Sequence, residues 1–172
     1  MKKLILVSLI TFQGVMLFAQ EFQVPTNYKL ETKEDYIEQE NNVLAAINWL
    51  SNNPMNQENV KKWESVYDFF WEWAGKVPYL TIGFGETAKP AFKGNAEIGI
   101  IYVGGYVKYA LTTREFDNKD EQNIAGIEAI VNYYNTYRKE LKKNSALEKF
   151  VELQKEGKLR EYILKNERKK NQ

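Results

Sequence analysis

Carboxylates carry the acid–base chemistry that this chain has to offer. The sequence contains no histidine and no cysteine. That removes Ser–His–Asp and Cys–His nucleophiles, zinc centres of imidazole and thiolate, and histidine-based pH sensing. What remains for an enzyme is a pair of Asp or Glu residues flanking a glycosidic bond. Glu97 opens the most apolar stretch of the chain, Glu128 lies among Ile127, Ala129 and Ile130, and Asp68 and Glu72 stand four residues apart. Each also has a plainer role. Glu97 suits the positive end of a helix dipole, and the others suit a solvated helix face. No pair stands out. No metal or cofactor is expected, because Gly83-Phe84-Gly85 alone is far short of a nucleotide-binding loop.

Binding chemistry has better material. Trp71 and Trp73 flank Glu72 just before an irregular glycine-containing segment, and an exposed aromatic face there could stack on a sugar or a peptide. Core packing explains most of the rings equally well, so if a binding surface exists, Trp71, at the edge of its apolar arc, is the ring expected to carry it. Lys108 is the only charge between Glu97 and Arg114. Trp71, Glu72, Trp73, Glu97 and Lys108 are therefore the candidate binding residues.

The elements that must position them read as helices. Tyr36, Val43, Leu44, Ile47 and Leu50 form one apolar stripe, which predicts a helix over 33–51 with Thr32 as its N-cap. Trp63, Val66, Tyr67, Phe70, Trp73 and Ala74 share a face of a second helix over 57–76, capped by Asn56. Phe69 and Trp71 widen that face, so this helix should touch more than one neighbour. Residues 78–93 contain Pro78, Pro90 and several glycines and predict an irregular or β-like piece.

Residues 95–111 allow two structures. A β-ribbon could turn at Gly104-Gly105. A buried helix capped by Asn95 is preferred, because Glu97, Gly104 and Lys108 then fall on one narrow polar stripe, read as the wetted edge. Further helices are expected over 120–143, from a Ser145–Glu148 capping box to Gly157, and over 158–166. The expected fold is all-α, a single-domain antiparallel helical bundle or short array of five to six helices. Residues 32–166 form this domain, 20–31 an extended lead-in, and 167–172 a frayed basic tail.

Lys2 and Lys3, the apolar run Leu4–Phe18 and the small Ala19 read as a secretory signal peptide cut after residue 19. The run is too short for a stable membrane span. An exported protein, periplasmic or secreted, is expected. The whole chain carries a net charge of +1. From Arg138 onward twelve basic residues face six acidic ones, a pattern suited to a solvated helix pair or an anionic partner. It lacks the interleaved aromatics of a nucleic-acid surface. The expected function is a binding or scaffolding module, preferred to an enzyme, with a protein, peptide or glycan partner. The alternatives are a small carboxylate-based hydrolase and a periplasmic accessory or chaperone-like protein.

Overall fold

The computed structural model describes residues 22–170. The leader expected at residues 1–19 lies outside them. Seven α-helices and no strand occur among the described residues: α1 (Lys33–Glu38), α2 (Glu40–Asn52), α3 (Val60–Ala74), α4 (Ala96–Thr113), α5 (Lys119–Thr136), α6 (Ser145–Lys155) and α7 (Leu159–Lys170). The fold is thus all-helical, as expected, with one or two more helices than the sequence reading gave. Among the described residues, no helix is long and apolar enough to cross a membrane.

The central unit is the antiparallel pair α4–α5. The run 96–113 is a helix and not a ribbon, and it is buried on nearly every side. Two glycines explain how the pair closes. A Cβ on Gly105 would lie 2.6 Å from the Ala125 carbonyl oxygen, and one on Gly126 would lie 2.7 Å from the Tyr102 ring. Their absence lets the two backbones approach closely. α2 packs antiparallel on α4, with Ile47 against Gly104 and Glu40 paired to Arg114. α3 covers α2, while α6 and α7 cover α5.

Local sequence sets the helix ends. Thr32 and Asp35 form a reciprocal capping box, with Asp35 N–H donating to Thr32 Oγ1 at 3.2 Å and Thr32 N–H to Asp35 Oδ2 at 2.8 Å. The expected 33–51 helix breaks at the buried Gln39 into α1 and α2. α3 starts at Val60 and not at 57 because Asn56 and Asn59 close a turn on each other's backbone. Asn95 ends up as the N-cap residue of α4, yet its carboxamide makes no cap bond. Both of its polar atoms bond the Lys142 backbone instead. α5 stops at Thr136, seven residues earlier than expected.

At α6 the cap is Asn144, not Ser145: its Oδ1 accepts from the N–H groups of Ala146 and Leu147. α6 ends as predicted at Gly157, which has φ +68. Lys158 N–H returns to Leu153 O and Gly157 N–H to Gln154 O, closing a Schellman turn. α7 runs on to Lys170, so residues 167–170 continue the helix and do not fray.

Trp73 is fully enclosed, and its indole N–H donates to the Tyr36 carbonyl at 2.9 Å. That bond ties α1 to α3. Truncating so large a buried ring to alanine costs about 3–5 kcal/mol. The segment expected to be β-like is an irregular stretch from Val77, followed by a single tight helical turn, Lys89–Phe92. Side chains hold it in place of a ladder. Tyr106 donates its hydroxyl proton to Thr81 O at 3.0 Å, Gly85 N–H donates to the Tyr102 hydroxyl, and Tyr102 in turn donates to Asn123 Oδ1.

Candidate binding surfaces

The five residues singled out from the sequence do not form one site. Trp73 is core. Glu72 is exposed on the far flank of α3, where it accepts the Tyr28 hydroxyl at 2.6 Å. Burial and this carboxylate push the Tyr28 phenol up to about 12. Glu97 is 9 % exposed, so it does not mark a wetted edge. It lies near Tyr133, whose phenol is raised first by burial and then by the Glu97 charge. Gly104, on the same stripe, is closed off by Ile47. Only Lys108 of that stripe reaches solvent. The stripe was misread because Ile47 of α2 covers Gly104 and Tyr133 of α5 lies near Glu97, tertiary contacts that α4's own periodicity does not encode.

Trp71 is partly exposed at the end of α3. α3 carries a ladder of stacked rings at four-residue spacing: Trp63 on Tyr67 at 5.8 Å between centroids, and Tyr67 on Trp71 at 6.0 Å. The ladder begins inside the core and ends at Trp71, which is 39 % exposed. Beside it lies a groove of about 460 Å³, lined by Val77, Leu80, Thr81, Ile82, Phe84 and Val103, among others. Phe84, 43 % exposed, forms the opposite rim and stacks on Tyr102 at 5.7 Å. The groove is largely apolar, with Lys76 its one charged side chain. Along its wall the chain from Leu80 to Phe84 is irregular. The N–H groups of Thr81 and Ile82 donate to no acceptor among the described residues. Phe84 was missed as a site residue because its composition suggested a strand, and nothing local distinguishes a rim from a core ring.

Lys108 belongs to a second groove, of about 510 Å³, between α2, α4 and α5. Its floor is Ile47, Gly105, Ala125 and Ala129, and Lys108 and Glu128 stand on its walls. The close approach at Gly105 creates this floor, because small residues there leave space between the helices.

Two of the carboxylates singled out from the sequence do meet, on α3. Asp68 and Glu72 share a shallow depression with Tyr28 and Glu64. All three acids are exposed and lie side by side on one helix, so they cannot flank a bond from opposite sides as glycoside hydrolysis requires. Among the described residues, no three acidic side chains are grouped so as to hold a metal ion.

Compared with known proteins, this chain matches no protein-family model, no curated protein and no solved structure.

Proposed function

We propose that this protein is a binding module that takes an extended, apolar stretch of another polypeptide along the groove between Trp71 and Phe84. The observation that carries this reading is the Trp63–Tyr67–Trp71 ladder, which delivers a braced indole to the surface beside an apolar groove. Trp71 is stacked on Tyr67 before any ligand arrives, so docking has little side-chain freedom left to remove. Large exposed rings beside an apolar trough are the usual anchors of protein recognition.

The groove's chemistry selects the partner. A sugar needs many hydrogen bonds, and few polar side chains line this trough. An extended peptide needs apolar contacts for alternate side chains and backbone N–H donors for its own carbonyls. Val77, Leu80 and Ile82 offer the first, and the Thr81 and Ile82 backbones offer the second. Of the carboxylates that the hydrolase alternative singled out, Glu97, Glu128, Asp68 and Glu72, no two from different helices line one groove.

The test is an array of extended decapeptides of graded apolar content, read with the wild-type protein, Trp71→Ala and Phe84→Ala. Apolar peptides should bind the wild type, and each substitution should weaken binding at least about tenfold. Because Trp71 is partly exposed, W71A should stay folded. Equal binding by wild type and both variants defeats the reading.

A further inference from the structure

We propose that the outer face of α2, with the two grooves that meet on it, binds a neutral saccharide. The first groove is the one between α2, α4 and α5. The second, of about 1160 Å³, lies between α2, the lead-in at Phe22 and the start of α3. Asn48 and Asn52 line both grooves and so join them into one continuous surface.

The chemistry of that surface is unusual for a helix exterior. Asn42, Asn48, Asn52, Asn53 and Asn132 all lie on it. A carboxamide sets a donor beside an acceptor and carries no charge, which matches two neighbouring hydroxyls. Several of these amides are braced from within. Nδ2 of Asn42 donates to Gln39 Oε1, that of Asn52 to Asn48 O and that of Asn53 to Trp49 O. Asn132 Oδ1 accepts from Gln154. Each amide then keeps its other polar atom for a ligand, in a rotamer already fixed, which lowers the ordering cost of binding.

Charge and shape exclude the competing ligands. The first groove holds one cation and one anion, Lys108 and Glu128, and the second holds Lys62 and Glu58. Neither groove favours an ionic ligand. An apolar peptide would strand the amides without partners, which is costly. A sugar ring has an apolar C–H face and a polar rim. The floor of Ile47, Ala125 and Ala129 under amide and hydroxyl walls repeats that division. Trp49 adds an aromatic surface in the second groove, with the Lys62 ammonium 5.2 Å from its ring centre.

The experiment titrates the protein with soluble cello-, malto-, xylo- and chito-oligosaccharides by calorimetry, beside the double variant Asn48→Ala/Asn52→Ala and Trp71→Ala. At least one series should bind saturably, and the double variant should weaken it about tenfold or more. Its melting point should hold or rise, since both positions are exposed and alanine is the better helix former. W71A should bind that sugar as the wild type does, which separates this site from the peptide groove. No saturable binding by any series, or equal binding by the double variant, overturns the proposal. So does a double variant that loses apolar peptides and not sugars.

Discussion

The Glu167 carboxylate, on the last helix, accepts the backbone N–H of Thr87 at 2.8 Å, across eighty residues of chain. Its other oxygen takes the N–H of Glu86 at 3.3 Å. The irregular segment that carries Phe84 is thereby pinned from α7. Glu167→Ala strands both N–H groups and should destabilise the protein by about 1–3 kcal/mol. Urea unfolding of E167A measures this, and an unchanged midpoint would show that the pin is idle.

Asn144 does two jobs at once. Its Oδ1 caps α6, while its Nδ2 donates to the carbonyls of Pro90, Ala91 and Lys93. Asn144→Ala should therefore cost about 2–4 kcal/mol, more than a cap alone. Ser145→Ala, at the position where the sequence suggested a cap, should stay within about 0.5 kcal/mol. Thermal denaturation of the two variants side by side decides between Asn144 and Ser145.

The glycines of α4 should respond unequally. Nothing lies within 4 Å of a Cβ on Gly99, so Gly99→Ala should stabilise by up to about 1 kcal/mol through helix propensity. On Gly105 the same methyl meets backbone atoms that cannot yield, and Gly105→Ala should cost about 2 kcal/mol or more. Gly104→Leu should cost more than about 1 kcal/mol, because buried Ile47 stands 3.1 Å from the new Cβ. Equal melting points for G99A and G105A would contradict the close α4–α5 approach.

Alkali should unfold the protein early. Burial raises the phenols of Tyr79, Tyr102, Tyr106, Tyr133 and Tyr134 above their ordinary value, and Tyr28 to about 12. For a group raised in the folded state, the stability it contributes is complete below the unfolded pKa of about 10. It is lost as pH rises through the folded values. An absorbance titration of phenolate should show these tyrosines ionising only together with loss of helical circular dichroism. Full titration near pH 10 with the dichroism intact is the contrary result.

Local rules made the helices legible. Thr32 with Asp35 starts α1, Asn53-Pro54 ends α2 and Gly157 ends α6, each through contacts a few residues long. Trp71, at the edge of α3's apolar arc, is exposed. The errors share a different origin. Asn95 is the N-cap residue of α4 as expected, but its carboxamide bonds Lys142, forty-seven residues on. The carboxamide satisfied a distant backbone because a loop happened to arrive there.

The sequence by itself determined that this chain is helical, free of histidine and cysteine chemistry, and armed with an aromatic edge on α3, because helix periodicity and composition are local properties. Only the tertiary structure decided that Glu97 is buried, that Lys108 faces a groove with Glu128, and that Asn48 and Asn52 join two clefts. Those facts depend on which helix crosses which, and that is set by a few small residues such as Gly105, where two backbones can touch.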